Sequence, residues 1–467
     1  MAKQYDLIVI GGGPAGYAAA IRAGQLKKRV LCVEKENLGG TCLNWGCIPT
    51  KALLDAGAFV RKMQHDSAEF GVSFDNFQVD FNKPIARSRQ IAGKLNKGIA
   101  HLFKKYKVDH VEATAKVASK NKVEWKSESG ESGSAECPRI MIATGARPKN
   151  LPGIEIDREL IISSREAMNL PEQPKKLAII GAGAIGCEFA DFYNAMGTEV
   201  TIIEFLGHLL PNEDEDCSIA LERAFKKRGI KALVGHKTTK VDKKNGGVVL
   251  HVEKASGGDA QTVEADKVLM AVGVTGNIEN LIDDKVGVTV EKGHIKVDTE
   301  YKTNVEGIWA VGDVIGPPWL AHVAHHEAVM CVERIFGFSD HHVDYDHIPG
   351  CTYTHPQVAS MGLTEKKARE SGKEIKVGKF PFSVSGRALA AGETEGFVKL
   401  IFDAKTGEQL GAHLVGEHVT ELLAELILAQ KLEATEDTII ELMHPHPTLS
   451  EAVMEAAGVA DGRAIHL

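Results

Sequence analysis

The chain has 467 residues, 43% of them hydrophobic, which is more than one hydrophobic core usually serves, so the sequence predicts two to four domains. Its formal charge of −8, from 55 basic and 63 acidic residues, argues against nucleic-acid and anionic-membrane partners. Only two of its eight cysteines lie close together, which argues against the disulfide framework of a secreted protein. We find no targeting signal and no membrane span, so we expect a cytoplasmic protein, with a mature organellar form left open.

A glycine-rich turn follows the first apolar segment of the chain. Residues 6–10 are typical of a buried parallel strand, and they lead into Gly11, Gly13 and Gly16 and then an alanine-rich helical stretch. A second apolar run ends on Glu34, 23 residues after Gly11. This is a dinucleotide-binding fingerprint, in which the glycines admit a pyrophosphate and the acid is placed for a ribose hydroxyl.

The same pattern returns 170 positions later, in residues 177–204. Gly181, Gly183 and Gly186 form the turn, and Glu204 again stands 23 residues after the first glycine. Two fingerprints imply two dinucleotides, and the chemistry that needs two is electron transfer between a flavin and a nicotinamide. Glu204 has no adjacent Arg or Lys, which favours NAD over NADP; the alternative is that it is a solvated charge at a strand end.

Two cysteines five positions apart lie in residues 38–54. If Cys42 and Cys47 begin a helix that Pro49 helps to open, the helix N-terminus favours the reactive thiolate form. The pair alone is equally compatible with two buried structural cysteines. The two fingerprints favour a redox pair, since they supply the electron carriers that such a pair would connect.

Three further strand-like segments end in tight turns. Residues 139–145 end at Thr144 and Gly145, residues 268–273 end at Gly273, and residues 303–313 end at Asp313. Ligands of open α/β sheets gather at the carboxyl ends of strands, so Asp313 is a candidate cofactor residue, with a capping role as the alternative.

The chain changes character from about residue 347, where alternating strands and an apolar helix predict an α+β domain. Pro447 suits the first position of a helix, which puts His446 just outside it and Glu451 about one turn in, close enough to orient an imidazole. The alternative is a capping box formed by Thr448 and Glu451. The acidic run 212–216 is interpreted as a solvated helix start rather than a metal site.

These residues resemble the disulfide-reducing flavoproteins over essentially the full chain, most closely those that oxidise dihydrolipoamide. The motifs that carry the resemblance, in the family's order, are GGGPAG (11–16), GGTCLNWGCIPTK (39–51), GAGAIGCE (181–188), VTIIEF (200–205), AVGD (310–313), LAH (320–322) and HPHPTLSE (444–451).

The resemblance implies an α/β fold with two Rossmann-like dinucleotide-binding domains and a C-terminal α+β dimerisation domain. Its expected segments are an FAD domain over 1–149, an NAD domain over 150–275, a central domain over 276–346 and an interface domain over 347–467. In a homodimer the interface domain would complete the partner's active site.

The resemblance also implies roles for individual residues. Cys42 would exchange with the substrate and Cys47 would lie against the flavin, while His446 from the other subunit would be the base and Glu451 would orient it. Besides the first fingerprint, the FAD site would include Lys51, Ala115, Thr144, Gly145, Asp313 and Ala321. Besides the second, the NAD site would include Glu188 and Gly273, and Lys51 and Glu188 would pair near the flavin.

The implied reaction is oxidation of protein-bound dihydrolipoamide with reduction of NAD⁺, with lipoyl domains of 2-oxoacid dehydrogenase or glycine cleavage complexes as partners. Which complex is served stays open. Glutathione reductase is disfavoured by Glu204, mercuric reductase by a C-terminus without a thiol pair, and a non-enzymatic flavoprotein subunit by the retained cysteines, His446 and Glu451. No metal is expected, because His325 and His326 lack a third ligand at metal-site spacing.

Overall fold

The computed structural model describes residues 4–244 and 246–467, and they form two compact units. One unit comprises residues 4–53, 82–149 and 273–344, and the other comprises residues 54–81, 150–272 and 345–467. Each unit contains a five-stranded parallel sheet, and the second also contains a five-stranded antiparallel sheet. The predicted fold class is confirmed, whereas the division into four domains stays a prediction.

The three central strands of the parallel sheet in the first unit are short, apolar and buried on both faces, as parallel strands covered by helices must be. Its strands, in spatial order, are Ile308–Ala310, Ile140–Ile142, Leu7–Ile10, Val30–Glu34 and Val108–Glu112. The helices are Pro14–Gln25, Gly40–Trp45, Cys47–His65, which continues into the second unit, Asn82–Tyr106 and Ala321–Ile335, with 3₁₀ turns at Asp284–Val286 and Gly312–Ile315.

Smaller antiparallel pairings complete the first unit. The strands Thr114–Ser119, Lys122–Lys126 and Ser132–Glu136 form a three-stranded sheet, Val274–Gly276 pairs with Ala146–Pro148, and Val290–Glu291 pairs with His294–Ile295.

The parallel sheet of the second unit repeats the plan of the first, with its glycine-rich turn after a central strand. Its strands, in spatial order, are Lys231–Val234, Glu199–Glu204, Lys176–Ile180, Lys267–Met270 and Ile161–Ile162. The helices of this part are Ser164–Ala167, Ala184–Ala195 and Glu215–Lys227, and the strands His236–Lys244, Gly247–Lys254 and Ala260–Ala265 form an antiparallel sheet.

The C-terminal part of the second unit is the α+β region expected from about residue 347. Its antiparallel sheet has the order Gly350–Thr352, Gln357–Gly362, Gln409–Gly416, Phe397–Asp403 and Ile375–Pro381. The helices are Glu365–Glu370, Gly386–Ala391, Val419–Lys431, Glu436–Glu441 and Glu451–Ala460, with 3₁₀ turns at Tyr345–His347 and Phe382–Val384.

Two local expectations were wrong, one about where a helix begins and one about the solvation of a helix start. The last helix begins at Glu451 and not at Pro447, so residues 442–450 form an extended loop. The acidic run opens a helix as expected, with Asp214 as its N-cap, but Asp214 is buried and not solvated because the Lys399 ammonium lies 2.8 Å from its carboxylate. Within the two described ranges, no helix has both the length and the apolar character needed to cross a membrane.

Candidate active site

Cys42 and Cys47 form a disulfide, with their Cα atoms 4.7 Å apart. Cys42 lies in the short helix Gly40–Trp45, and Cys47 is the first residue of the helix Cys47–His65. As predicted, the long helix opens at the cysteine, with Pro49 in its first turn. When the disulfide is reduced, the N-terminal dipole and unpaired N–H groups of this helix favour a thiolate at Cys47.

The segment between the cysteines is held by Asn44, whose side chain is buried. Its amide group donates to the Leu38 carbonyl at 3.2 Å and to the Gly40 carbonyl at 2.8 Å, and it accepts from Asn96 at 2.7 Å. These bonds tie the chain together on both sides of Cys42.

The first fingerprint has the geometry of a dinucleotide-binding turn. Gly11 has a φ of +103°, and a Cβ on Gly16 would lie 1.8 Å from the Gly11 carbonyl oxygen, so the helix packs on the strand only with glycine at that position. Buried Glu34 accepts from the Gly12 N–H at 2.5 Å and from the Glu36 N–H at 2.8 Å. Each carboxylate oxygen retains a lone pair that a ribose hydroxyl can use.

The turn Thr144–Gly145 lies beside this fingerprint, since a Cβ on Gly11 would meet the Ala143 carbonyl oxygen at 2.2 Å and the Thr144 nitrogen at 3.1 Å. Asn277 holds the turn: its side chain donates to the Thr144 carbonyl at 2.9 Å, and its backbone N–H donates to the Gly145 carbonyl at 2.9 Å. Asn277 therefore supports the turn through bonds to two backbone carbonyls. Ala115 is buried on the strand Thr114–Ser119.

Asp313 lies in the 3₁₀ turn Gly312–Ile315 at the carboxyl end of the strand Ile308–Ala310. Burial raises its pKa to about 6, and no described residue donates a hydrogen bond to its carboxylate. A partly buried carboxylate without a donor fits a hydroxyl-bearing ligand such as the ribityl chain of FAD. The residues present thus fit the cofactor that the fingerprint predicts.

The position of Asp313 depends on a residue that the sequence reasoning missed. Glu327 is buried, and its carboxylate accepts from the Gly312 N–H at 2.7 Å, which fixes the turn before Asp313. Ala321 begins the helix that carries Glu327. The sequence does contain a signal for Glu327, which lies on the apolar face of that helix between Ala324 and Ala328. A charged residue is rarely buried on such a face unless it has a partner there.

The second fingerprint has nearly the same backbone geometry and hydrogen bonds as the first. Gly181 also has a φ of +103°, and a Cβ on Gly186 would lie 2.0 Å from the Gly181 carbonyl oxygen. Glu204 is buried and accepts from the Ala182 and Leu206 N–H groups, each at 2.7 Å, so it is not the solvated strand-end charge of the alternative interpretation. A Cβ on Gly183 would meet no atom within 4 Å, which leaves room for a pyrophosphate at the start of the helix.

Three predicted cofactor residues are placed individually. Lys51 lies one turn after Cys47 on the same helix and is half-buried. Glu188 is buried in the helix Ala184–Ala195 and accepts from the Tyr353 N–H at 3.0 Å. Gly273 has a φ of +101° and open space at its Cβ. The pairing of Lys51 with Glu188 and the NAD contact of Gly273 stay predictions.

His446 and Glu451 form a hydrogen-bonded pair, with Nδ1 of the imidazole 2.8 Å from Oε1 of the carboxylate. The other carboxylate oxygen accepts from the Thr448 N–H at 2.8 Å, which is half of the capping box considered as an alternative. Partial burial opposes ionisation of Glu451, but the Thr448 N–H and His446 outweigh it, so its pKa is lowered. The Glu451 carboxylate therefore binds both the loop backbone and the imidazole ring. The His446 side chain is 80% exposed, and its Nε2 is free.

One group of possible metal ligands lies elsewhere in the described part of the chain, where one atom each of His355, Glu393 and Glu417 lies within 4.8 Å of the others. The two ring nitrogens face different carboxylates at 3.6 Å, and the Lys62 ammonium lies 3.6 Å from Glu393. This is the arrangement of an ion-pair network. The rings of His325 and His326 lie 5.7 Å apart on one helix.

Comparison with known proteins agrees with this geometry. Residues 5–328 match the pyridine nucleotide-disulphide oxidoreductase family, and residues 348–457 match its dimerisation domain, which supports a homodimer. The chain is 46% identical to a dihydrolipoyl dehydrogenase of Rhizobium etli and 44% identical to one of Zymomonas mobilis, in both cases over 100% of each chain. It also resembles the Cu(II) complex of the HOCl-induced flavoprotein disulfide reductase RclA from Escherichia coli, at 25% identity and a TM-score of 0.88, over 98% of this chain and 99% of that one.

The matched residues include the cysteine disulfide and both fingerprints, and FAD and NAD are the cofactors of this family. The chain therefore belongs to the pyridine nucleotide-disulphide oxidoreductase family and is an oxidoreductase.

Proposed function

We propose that this protein oxidises dihydrolipoamide to lipoamide and reduces NAD⁺ to NADH. The observation that carries the proposal is the Cys42–Cys47 disulfide at a helix N-terminus in a chain that also holds two dinucleotide fingerprints. The proposal rests as well on the relatives named dihydrolipoyl dehydrogenase.

The thiol chemistry is a pair of disulfide exchanges. A substrate thiolate attacks Cys42, the Cys42–Cys47 bond breaks, and Cys47 leaves as a thiolate. The second substrate thiolate then attacks the sulfur of its own molecule in the mixed disulfide, which closes the lipoamide ring and releases Cys42. The substrate loses two electrons and two protons, and the protein disulfide gains the electrons.

His446 would accept the protons of this sequence. Because Nδ1 faces the Glu451 carboxylate, which only accepts, Nδ1 carries the hydrogen and Nε2 is the free base. In a homodimer this base would act on the disulfide of the partner subunit. The assignment of Cys42 to the substrate and Cys47 to the flavin comes from the family resemblance.

FAD, when bound, accepts the electron pair from the protein dithiol and passes it to NAD⁺. The chain's contribution is to hold the two dinucleotides. Gly11, Gly13, Gly16, Glu34, Asp313 and the Thr144–Gly145 turn would hold FAD, and Gly181, Gly183, Gly186 and Glu204 would hold NAD. Buried Glu204 disfavours a 2′-phosphate, and the next two residues, Phe205 and Leu206, are apolar and exposed.

The proposed partners are a second copy of the chain and the lipoyl domains of a 2-oxoacid dehydrogenase or glycine cleavage complex. The proposed compartment is the cytoplasm. Six cysteines form no disulfide, which is consistent with a reducing compartment: Cys32, Cys137, Cys187, Cys217, Cys331 and Cys351.

A side-by-side substrate assay tests the proposal. Purified protein with its flavin is given lipoamide with NADH in one reaction and glutathione disulfide with NADPH in another, and both are followed as loss of reduced nicotinamide. We expect the first reaction to be the faster by about two orders of magnitude, since each missing specific contact costs a factor of about ten or more. Protein without flavin, or a faster second reaction, would contradict the proposal.

A further inference from the structure

The loop that carries His446 has few attachments of its own. Leu442, Met443, Pro445, His446 and Pro447 are all exposed. Within the described residues, no backbone-to-backbone hydrogen bond ties residues 443–447. Side-chain contacts, and not backbone pairing, must therefore hold His446 in place.

His444 is the buried exception in this loop, with its side chain only 3% exposed. Its Nε2 lies 2.7 Å from Oε1 of Glu425, which is on the helix Val419–Lys431. Its Nδ1 lies 3.0 Å from the Leu442 carbonyl oxygen.

The two contacts favour the charged form of His444. Each ring nitrogen faces an oxygen that only accepts hydrogen bonds, and both nitrogens can donate at once only in the imidazolium. The hydrogen bond that His444 donates to Glu425 raises the pKa of His444 against the opposing effect of burial, and the Leu442 carbonyl and the Glu451 charge act in the same direction. The charge of His444 in turn helps to lower the pKa of Glu451.

We propose that the His444–Glu425 pair is a positioning element that anchors the 442–450 loop and so holds His446 on Glu451. His444 does not take the substrate proton, because both of its nitrogens are occupied. This inference rests on the proposed role of His446 as the base.

Three variants of the holoenzyme test the anchor. His444→Ala and Glu425→Ala remove it, and we expect turnover with dihydrolipoamide and NAD⁺ to fall about tenfold or more, because a displacement of about 1 Å costs up to about 10² in rate. Glu425→Gln keeps it: the amide can donate to Nε2 of a neutral ring while Nδ1–H still reaches the Leu442 carbonyl. Glu425→Gln should therefore retain turnover within about a factor of three of the wild type, about 0.65 kcal/mol.

A second activity separates positioning from general damage. Reduction of ferricyanide by NADH passes through the dinucleotide sites and needs neither the disulfide nor His446, so it should stay near the wild-type rate in all three variants. His251→Ala is a matched control, because Nε2 of His251 lies at the same 2.7 Å from a carboxylate, that of Asp242, on an exposed hairpin. It should leave both activities unchanged.

Several results would overturn the inference. These are wild-type turnover in His444→Ala and Glu425→Ala, an equal loss in Glu425→Gln and Glu425→Ala, or a parallel loss of ferricyanide reduction. If His444→Ala does not fold, the Glu425 pair of variants decides alone. A wild-type enzyme that does not oxidise dihydrolipoamide would instead contradict the proposed function.

Discussion

At the scale of single residues, two carboxylates illustrate opposite solutions to burial. Glu451 has donors for both oxygens, Thr448 and His446, and its pKa is lowered. Asp313 is partly buried and has no donor among the described residues, and its pKa is raised to about 6. The hydrogen bonds of Glu451 are therefore complete within the chain, whereas Asp313 needs a ligand to donate to its carboxylate.

We predict that Asp313→Asn makes the flavin-free protein more stable at pH 7.5. The ordinary pKa of this group is 3.8 and its folded value is about 6, so the folded protein binds the proton more tightly and its free energy of unfolding falls as pH rises through this window. Removing the charge should recover about 2 kcal/mol above pH 6 and progressively less towards pH 4. Urea unfolding of the flavin-free proteins at several pH values measures this gain, and no gain at pH 7.5 would contradict it.

The same variant should bind FAD more weakly than the wild type. An amide accepts hydrogen bonds less strongly than a carboxylate, and a charged acceptor contributes about 1.5–3 kcal/mol. We expect the dissociation constant, measured by flavin fluorescence, to rise about tenfold. Tighter flavin binding would remove Asp313 from the cofactor site.

We predict that Glu451→Gln lowers turnover of dihydrolipoamide by about 10² or more, because the amide no longer fixes the tautomer and charge of His446. The loss should appear in turnover more than in KM for NAD⁺. Since the Glu451 pKa lies below its ordinary value, the wild-type carboxylate stays ionised from neutral pH down to acidic pH, and its contribution is lost only as pH falls through that lowered value. A variant with wild-type turnover would contradict the orienting role.

At the scale of elements, the strand, turn, helix and second strand of each fingerprint were predictable because all their signals are local. The apolar runs, the glycine spacing and the terminal acid each constrain a few neighbouring residues, and the two copies agree to within 0.2 Å in the clash that a Cβ at Gly16 or Gly186 would cause. The start of the last helix was not predictable in this way. Proline at 447 is permitted at a helix start, but the His444 side chain pairs with Glu425, 19 residues away, and no local pattern predicts that contact.

Substitutions at two glycines of the second fingerprint should have different effects, one on NAD binding and the other on stability. Gly183 has ordinary extended φ and ψ and open space at its Cβ, so Gly183→Ala should leave the thermal unfolding midpoint nearly unchanged and raise KM for NAD⁺ about tenfold. Gly186→Ala places a Cβ against the Gly181 carbonyl and should destabilise the protein. Equal loss of stability in both variants would contradict this division.

At the scale of the whole molecule, distant parts of the second unit are joined by a buried lysine. The Lys399 ammonium lies 2.8 Å from Asp214, 2.9 Å from Asp216 and 2.7 Å from Glu365, and its side chain is 3% exposed. Although burial alone would lower its pKa, these carboxylates outweigh burial and raise it. This contact was not predictable from the sequence, because its partners lie up to 185 residues apart and their charges resemble solvated ones.

We predict that Lys399→Ala lowers the free energy of unfolding by about 3 kcal/mol, because it leaves Asp214 and its neighbours without a buried cation. Lys379→Ala is the matched control, since Lys379 also reaches Asp216, at 3.0 Å, but is 43% exposed, and it should cost at most about 1 kcal/mol. Chemical unfolding followed by far-ultraviolet circular dichroism compares the two. An equal loss in free energy of unfolding in the two variants would mean that burial does not determine how much these ion pairs stabilise the protein.

In the proposed function, electrons from dihydrolipoamide reach NAD⁺ through the Cys42–Cys47 pair. Anaerobic addition of one equivalent of dihydrolipoamide to the flavin-loaded wild type and to Cys47→Ser, followed by absorbance, tests it directly. We predict a long-wavelength band in the wild type, from the Cys47 thiolate against the flavin, which fades when NAD⁺ is added, and no band and no NADH in Cys47→Ser. A variant that reduces NAD⁺ as fast as the wild type would contradict the claim.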